Sequence, residues 1–177
     1  MLSVNNYSKL RRQSKLNQSY LYISNSILDI LKDKEIKVIG ITSSFVDKKS
    51  KSIICENICK NICDKGYKVC LITAYVDINS KNYNLHEIVE KNIKIIRTQN
   101  INKNKLEELI NKEKEDYIVI ADLSPVNIFA QSLEYAKICK NILLLEKYCY
   151  SKYSDFENTL DILKQSNINV LGIITHV

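Results

Sequence analysis

The chain has very little glycine and proline, the residues that most often form tight turns, and it has no tryptophan. Its 177 residues include three glycines and one proline. No apolar run reaches the ~18–20 residues that a membrane-spanning helix needs, and the polar N-terminal segment lacks the apolar core of a signal peptide. These absences predict a cytoplasmic protein. In that compartment the six cysteines are expected to be reduced thiols, most of them small core residues.

The rest of the composition is ordinary for a globular protein. Hydrophobic residues make up 45% of the chain and charged residues 26%, and a mass of 20.5 kDa is enough for one domain with a substantial core. No internal repeat and no second domain can be recognised. We therefore expect a single α/β domain over residues 17–177, preceded by a basic flexible tail at residues 1–16.

The net charge of +6 gives only weak support for an acidic partner, because acidic and basic residues alternate through most of the chain. One local excess of positive charge lies in the predicted tail, at Lys9, Arg11, Arg12 and Lys15. A solvated tail explains it, and so does contact with an anionic membrane surface or an acidic segment beside a membrane. No known nucleic-acid-binding motif is present, so binding to DNA or RNA is not expected.

Short apolar runs alternate with helical patterns along the chain. Strands are predicted at Lys37–Thr42, Lys68–Thr73, Ile93–Arg97, Tyr117–Ala121, Ile142–Leu145 and Val170–Ile174. Helices are predicted at Gln18–Lys32, Lys51–Lys65, Lys103–Lys112, Val126–Lys140 and Ser151–Ser166, and loops at Asn79–Leu85 and Gln99–Lys105. Continuous runs of Ile, Val and Leu are typical of strands buried on both faces. The order predicts a doubly wound, mainly parallel sheet with helices on both faces and ligands at the carboxyl ends of its strands.

The segment Lys37–Ser52 has the layout of a phosphate-binding loop. An apolar run leads into Ser43-Ser44 and a polar turn, and Lys51-Ser52 then opens a helical pattern. P-loop proteins use this order to place backbone N–H groups, a lysine and a hydroxyl around phosphate. The turn nevertheless contains no glycine. Placing bulky residues such as Phe45 at positive φ costs on the order of 1–3 kcal/mol each, and their side chains obstruct phosphate.

Several segments, in order, resemble the bacterial tyrosine kinases of capsule and exopolysaccharide synthesis, which belong to the MinD/ParA-like group of P-loop NTPases. The segments are Ile41–Ser44, Lys51-Ser52, Asn57, Gly66–Ile72, Asp116–Ile120, Asp122–Val126 and Asn169–Ile174. The resemblance implies a P-loop NTPase-like α/β fold. It also implies that Lys51 and Ser52 match the Walker A lysine and hydroxyl, although they lie one residue further from the strand, and that Asp122 matches the Walker B aspartate.

Two departures from the family pattern argue against catalysis. The first loop lacks the family's glycines, and Asp47 adds a negative charge beside any bound phosphate. The second departure is at Thr73 and Tyr75, where the family carries an aspartate pair for Mg²⁺ and the catalytic base. A threonine cannot supply the anionic base that phosphoryl transfer to a hydroxyl requires. The predicted site is therefore a vestigial one, with Asp122 as the remaining catalytic candidate and Lys51, Ser52 and Asp122 as remaining nucleotide or Mg²⁺ ligands.

Three functions remain open at this stage. The leading hypothesis is a catalytically degenerate homologue of these kinases that requires no cofactor. It would act as a regulatory or scaffolding protein on a transmembrane polysaccharide co-polymerase or a kinase paralogue, at the inner face of the cell membrane. The first alternative is an active ATP-dependent tyrosine kinase or ATPase with an unconventional loop. The second alternative is a MinD-like interaction module that contacts the membrane.

Two further groups of residues have competing interpretations. Cys55, Cys59 and Cys63 share one helix face with neighbouring isoleucines, which favours core packing over a metal site. Tyr148, Tyr150 and Tyr153 form a cluster before a helix. They are either phosphorylation sites or half-buried loop residues, and the ordinary burial of tyrosine favours the second interpretation.

Overall fold

The structure, a computed structural model, describes residues 4–76 and 84–176, with side chains from Asn17 onward except those of Lys48 and Asn84. The described helices are α1 (Val4–Asp33), α2 (Lys48–Cys63), α3 (Lys103–Glu113), α4 (Ala130–Cys139) and α5 (Tyr153–Gln165). The described strands are β1 (Val38–Thr42), β2 (Val69–Tyr75), β3 (Asn84–Glu90), β4 (Ile93–Gln99), β5 (Ile118–Leu123), β6 (Asn141–Lys147) and β7 (Asn169–His176).

The seven strands form one sheet in the order β3-β4-β2-β5-β1-β6-β7. All neighbouring pairs are parallel except β3 and β4. The inner strands are almost continuously buried, which is why their sequences are uninterrupted runs of Ile, Val and Leu. The predicted doubly wound, mainly parallel α/β fold is confirmed.

The strand β3 was missed by the sequence prediction, which placed a loop at Asn79–Leu85. The structure begins β3 at Asn84 and pairs it antiparallel with β4, while residues 79–83 lie outside the described part of the chain. Its sequence mixes polar and apolar residues because it is an edge strand with little buried surface. The second predicted loop is also shorter than expected, since β4 continues to Gln99 and the side chain of Asn102 already caps α3.

Two hydrophobic layers cover the two faces of the sheet. One layer is built by α1 and α2, and the other by α3, α4 and α5. Cys55 and Cys59 are fully buried in the first layer, and Cys63 packs against it. Burial raises the pKa of both the Cys55 and the Cys59 thiol, so they remain protonated. Core packing of these three cysteines is confirmed.

The helix α1 is longer than predicted. Its backbone is already helical at Val4, so part of the segment assigned to a tail belongs to the same helix as Gln18–Lys32. The side chains of Lys9, Arg11, Arg12 and Lys15 lie outside the described ones, and the separation of a flexible tail from the domain stays a prediction. None of the described helices, α1 included, is both long and apolar enough to cross a membrane.

Scarce glycine leaves the turns to other residues. Gly66, with φ of 89°, ends the turn after α2 in the left-handed region. Six other described residues also have positive φ: Glu35, Lys91, Asn100, Lys140, Cys149 and Asn167. Left-handed backbone costs a residue with a Cβ atom roughly 1–2 kcal/mol, and asparagine tolerates it best. The fold therefore carries backbone strain in several of its turns.

One glycine on β1 is required by packing. A Cβ atom added to Gly40 would lie 2.5 Å from Cδ1 of Ile142 and 3.1 Å from Cδ1 of Leu123. We expect Gly40→Ala to lower the free energy of unfolding by about 1–3 kcal/mol through overpacking, measured by urea denaturation. Gly172→Ala on β7 is the matched control, because its added Cβ atom would meet only Leu143 at 3.7 Å. Equal effects of the two changes would contradict this account of Gly40.

Candidate functional site

The predicted site residues meet at the carboxyl edge of the sheet, where the parallel strands end. β1 and β5 are neighbours in the sheet, and Ile41 of β1 pairs with Asp122 of β5. The loop after β1 leads into α2, whose first turns carry Lys51 and Ser52. The structure thus brings Lys51, Ser52 and Asp122 together, as the sequence order predicted.

Lys51 and Asp122 form a buried ion pair. Lys51 Nζ lies 2.7 Å from Asp122 Oδ1, and the two side chains are 2% and 0% exposed. Lys51 Nζ also donates a hydrogen bond to the carbonyl oxygen of Leu123, and it lies 5.3 Å from the ring centroid of Tyr75. Almost no surface of this lysine is left for a ligand. Its ammonium group neutralises a carboxylate that would otherwise be buried alone, which is a strongly unfavourable state.

The second oxygen of Asp122 accepts two hydrogen bonds. Tyr75 OH donates to Asp122 Oδ2 at 2.5 Å, and Ser52 Oγ donates to the same atom at 3.1 Å. Ser52 Oγ also lies within hydrogen-bonding distance of Tyr75 OH, so the single proton of the Ser52 hydroxyl is shared between Tyr75 OH and Asp122 Oδ2. In the Walker A pattern the serine hydroxyl binds Mg²⁺. Here that hydroxyl takes part in a closed network of three side chains.

Tyr75 lies where the family resemblance expects a metal-binding or basic aspartate. Burial, followed by the neighbouring Asp122 carboxylate, raises the pKa of the Tyr75 phenol well above its ordinary value. The phenol is therefore neutral at physiological pH and acts as a hydrogen-bond donor. Thr73, at the other expected aspartate position, is buried. Neither residue supplies the anionic base of phosphoryl transfer.

The loop after β1 does not follow the path of a phosphate-binding loop. None of residues 43–50 has positive φ, so the bulky loop residues do not adopt the strained conformation that a phosphate-binding loop would impose on them. Phe45 instead turns inward and is 7% exposed. Its ring packs at 5.4 Å, edge to face, on Tyr150 and at 6.3 Å on His176. The loop therefore has no residue in the left-handed region, and the buried Phe45 ring holds it against Tyr150 and His176.

Asp47 is the N-cap of α2. Its side chain accepts a hydrogen bond of 3.0 Å from the backbone N–H of Ser50, and Lys147 Nζ lies 3.2 Å from its other oxygen. The Ser50 backbone N–H and, to a lesser extent, Lys147 hold the pKa of Asp47 below its usual value. The positive end of the helix dipole, which binds phosphate in P-loop proteins, is thus occupied by a carboxylate of the protein itself.

Glu146 is a site residue that the sequence prediction missed. It is 7% exposed at the end of β6, and its carboxylate accepts 3.0 Å and 2.6 Å hydrogen bonds from the backbone N–H and the hydroxyl of Ser44. These donors belong to the loop that would face phosphate. The missed signal was a single acidic residue closing an apolar strand, one position beyond the predicted end at Leu145.

Further hydrogen bonds tie the loops of the carboxyl edge to one another. Asn127 Nδ2 donates to the carbonyl oxygen of Ser44 at 3.0 Å, and Thr42 Oγ1 donates to that of Ser124 at 2.9 Å. The loop after β5 is therefore bonded to the loop after β1. Together with Glu146, these contacts hold the loops after β1, β5 and β6 in one arrangement.

An open cleft of about 380 Å³ lies beside this network. Its walls come from α2, β2, β3 and β4, and they include Ser52, Thr73, Tyr75, His86 and Arg97. Arg97 is held 2.9 Å from the Glu56 carboxylate at the cleft wall. The cleft reaches the hydroxyl groups of the network, but Asp122 and Lys51 lie behind them.

The tyrosine cluster differs from the favoured sequence interpretation. Tyr148, Tyr150 and Tyr153 are 66%, 58% and 72% exposed, so the expectation of half-buried loop residues was wrong. Tyr148 and Tyr150 lie in the turn after β6, and Tyr153 begins α5. The Tyr150 ring contacts Phe45 at 5.4 Å between centroids and lies 5.1 Å from Lys147 Nζ. Phosphorylation of these residues stays a hypothesis.

At this site, carboxylates of the protein itself occupy groups that could otherwise bind an anion such as phosphate. We use the name resident carboxylates for Asp47, Asp122 and Glu146. Asp47 caps the N-terminus of α2, Asp122 binds Lys51 and the Ser52 hydroxyl, and Glu146 accepts from the Ser44 N–H. Asp122 has a counterpart in the Walker B pattern, but Asp47 and Glu146 have none there. Phosphate binding would have to displace Asp47 and Glu146 from these donors, while Lys51 and Lys147 compensate the charges of Asp122 and Asp47 within the protein.

Comparison with known proteins shows the fold. No family model matches the chain, and no curated protein matches its sequence. The VpsO kinase domain matches with a TM-score of 0.70 at 14% identity, over 94% of this chain and 97% of that one. The kinase domain of the Escherichia coli tyrosine kinase ETK matches with a TM-score of 0.64 at 14% identity, over 79% and 67%.

A cell-division protein has the same fold. The MinC:MinD complex of Aquifex aeolicus matches with a TM-score of 0.63 at 16% identity, over 80% of this chain and 69% of that one. At such identities the likeness shows the fold alone. The chain thus has the P-loop NTPase fold of bacterial tyrosine kinase domains and of MinD, as the resemblance predicted.

The buried ion pair predicts a structural role for Lys51. We expect Lys51→Ala to lower the free energy of unfolding by about 3–5 kcal/mol, because Asp122 would remain buried without its cation. Urea denaturation followed by circular dichroism measures this loss. Lys49→Ala, an exposed lysine in the same helix, is the control and should change stability by less than about 0.5 kcal/mol.

A double variant separates the charge from the packing. Replacing both partners, as Lys51→Met with Asp122→Leu, should restore much of the stability that Lys51→Ala loses, because no buried charge is left unpaired. If Lys51→Ala unfolds at the same urea concentration as the parent, Lys51 does not compensate Asp122 in the folded protein.

The lowered pKa of Asp47 predicts a pH-dependent contribution to stability. A depressed carboxylate pKa stabilises the fold above the unfolded-state pKa of about 4, and this contribution disappears as the pH falls through the folded-state value. Asp47→Asn should therefore cost about 0.5–1 kcal/mol at pH 7, and the difference from the parent should close below pH 4. Asp161→Asn, at an exposed position of α5, is the control. A difference that is constant with pH would contradict the assignment.

Proposed function

We propose that this chain is a catalytically degenerate homologue of the capsule and exopolysaccharide tyrosine kinases, acting as a regulatory or scaffolding protein through protein contact. It requires neither nucleotide nor metal in this role. The observation that carries the proposal is the set of resident carboxylates. The Lys51 ammonium group and the Ser44 and Ser50 backbone N–H groups, which lie where the P-loop pattern binds phosphate, are ion paired or hydrogen bonded within the protein.

The state of the acidic positions supports the same proposal. Mg²⁺ prefers oxygen ligands from carboxylates and phosphates, and phosphoryl transfer needs a base near the accepting hydroxyl. Tyr75 is a neutral phenol that donates to Asp122, and the buried Thr73 has no charge to offer. Asp122 itself is neutralised by Lys51 at 2.7 Å. These residues give stability to the carboxyl edge without giving it a reactive group.

The proposed partner is a transmembrane polysaccharide co-polymerase or an active kinase paralogue. This setting follows from the likeness of the fold to bacterial tyrosine kinase domains, and the MinC:MinD complex is an example of the fold in a protein assembly. Basic residues at Lys9, Arg11, Arg12 and Lys15 would add attraction to an anionic membrane surface beside such a partner.

The second candidate is an active kinase or ATPase of the same fold. One observation favours it: Lys51, Ser52 and Asp122 lie together at the end of β1 and β5, as a Mg·ATP site requires. In this case the ligand would displace Glu146 and Asp47 from the loop and the helix terminus, and Mg²⁺ would replace the Tyr75 hydroxyl at Asp122. Nucleotide binding distinguishes the two candidates.

The experiment is calorimetric titration of Mg·ATP into the parent chain and into Ser52→Ala. We expect no saturable binding to either protein, because Glu146, Asp47 and Asp122 already occupy the Ser44 N–H, the Ser50 N–H and the Lys51 ammonium group. Ser52→Ala removes one hydroxyl from the network while leaving the Tyr75–Asp122 bond, so the variant should fold. Ser26→Ala, an exposed serine on α1, is the control. Micromolar affinity that is lost in Ser52→Ala and kept in Ser26→Ala would establish the second candidate instead.

The partner part of the proposal needs its own measurement. Purified chain is added to a capsule-type tyrosine kinase, and both binding and the rate of autophosphorylation are followed. Saturable binding with a changed rate supports a regulatory role. Absence of binding both to the kinase and to the cytoplasmic segment of a co-polymerase would contradict it, whatever the result with nucleotide.

A further inference from the structure

The open cleft of about 380 Å³ between α2 and the strands β2, β3 and β4, which we call the β4 cleft, has no ligand in the proposed function. Small-molecule pockets have volumes of roughly 300–1,000 Å³, so the β4 cleft is large enough for a compact ligand. It lies on the outer side of the Ser52 and Tyr75 hydroxyls, whereas Lys51 and Asp122 are buried behind them. The side chains that line the β4 cleft therefore decide what it can bind.

The register of the sheet forms one wall of the β4 cleft. Arg97 on β4 pairs with Thr73 on β2 and with His86 on β3. Paired residues of neighbouring strands point to the same face of a sheet, so these three side chains form one row across it. Ser52 and Glu56, four residues apart on one face of α2, line the cleft from the helix side. Polar side chains from one sheet row and one helix face thus converge on the same space.

The formal charges of this lining cancel. Arg97 Nη2 lies 2.9 Å from Glu56 Oε1, and the two side chains are 48% and 27% exposed. The described lining residues include no further Lys, Arg, Asp or Glu, so with histidine counted as neutral their charges sum to zero. A phosphate or another small anion would find a carboxylate beside the guanidinium group. The β4 cleft is therefore polar without selecting an anion.

Both partners of this ion pair keep hydrogen-bonding groups for a ligand. A guanidinium group has five N–H donors and a carboxylate has two acceptor oxygens. Within the described part of the chain, the Arg97 guanidinium makes one hydrogen bond, from Nη2 to Glu56 Oε1. His86, which is exposed, adds a ring nitrogen that donates and one that accepts. The wall thus presents donors and acceptors next to each other, with the ion pair fixing two of the side chains.

We propose that the β4 cleft binds a neutral sugar. Each sugar hydroxyl both donates and accepts hydrogen bonds, so neighbouring hydroxyls match a wall on which the donors of Arg97 and the acceptors of Glu56 are adjacent. Leu85, which is 47% exposed, and the Tyr75 ring supply apolar surface for the C–H groups of a sugar ring. The inference does not depend on the proposed function, since it involves neither a nucleotide nor a protein partner.

The ion pair is the reason for choosing a neutral polyol over other small polar ligands. A sugar can bond to the outer N–H groups of Arg97 and to the second oxygen of Glu56 while the pair stays intact. A zwitterion such as an amino acid would have to separate the pair before its carboxylate and ammonium groups could take the places of the partners. A small anion would gain Arg97 but would lie beside Glu56.

The experiment is saturation-transfer difference NMR on the full chain with glucose, galactose, mannose, N-acetylglucosamine and maltose, followed by titration of each sugar that gives a signal. We expect at least one of these sugars to bind with a dissociation constant on the order of 1 mM, the range for a ligand of this size. Arg97→Gln should weaken that binding by about tenfold or more, because it removes charge-assisted hydrogen bonds. Lys103→Gln is the matched control, since it breaks the exposed ion pair with Glu134, whose residues do not line the cleft, and should leave the affinity unchanged.

His86→Ala is the second variant, in case Arg97→Gln disturbs β4. It changes an exposed side chain of the edge strand β3 and should also weaken sugar binding. Absence of saturable binding by all five sugars would overturn the inference. An affinity that neither variant changes would overturn it too, because the sugar would then bind elsewhere. Serine and inorganic phosphate are titrated as competing probes, and saturable binding of either one without binding of any sugar would likewise contradict a neutral sugar as the ligand.

Discussion

The buried contact between Lys51 and Asp122 is the interaction on which the carboxyl edge depends. It joins the start of α2 to the end of β5, and the Tyr75 and Ser52 hydroxyls complete it on the other carboxylate oxygen. A charge this deep must be compensated inside the protein, because water cannot reach it. Lys51, Ser52 and Asp122, which the resemblance matches to nucleotide-binding positions, here contact one another and join α2 to β5. Their presence in the sequence is thus compatible with loss of catalysis.

The remaining contacts of the site follow from the same requirement. Once the loop after β1 lacks glycine, it cannot point successive N–H groups at a ligand at low cost. The free donors must find acceptors within the chain, and Glu146 and Asp47 provide them. Phe45 is buried and packs against Tyr150 and His176 beside the same loop. Loop sequence, resident carboxylates and packing are therefore consistent with one another.

The sequence predicted the fold well and the site in part. Buried parallel strands such as β5 can be predicted from continuous apolar runs, and the order of strands and helices then predicts the doubly wound sheet. The strand β3 was not predicted, because an edge strand with little buried surface has no continuous apolar run. The family resemblance assigned Lys51 and Asp122 to one site, and the structure brings them together as an ion pair, which the sequence did not predict. Glu146 was missed because its contact with Ser44 depends on β6 lying beside β1 in the sheet, which the local sequence does not indicate. The exposure of Tyr148 was also missed, because it depends on the conformation of the turn after β6.

The left-handed turns have a consequence for the protein as a whole. Six residues with side chains adopt a conformation that glycine would adopt freely, at roughly 1–2 kcal/mol each. That sum is comparable to the entire margin by which a typical domain is stable, about 5–15 kcal/mol. In a chain so poor in glycine, further positive-φ residues in a ligand-binding loop would lower the free energy of unfolding by a large fraction of its total. In the loop after β1 no residue from 43 to 50 adopts this conformation, and the Ser44 and Ser50 N–H groups are bonded to Glu146 and Asp47 instead of facing outward.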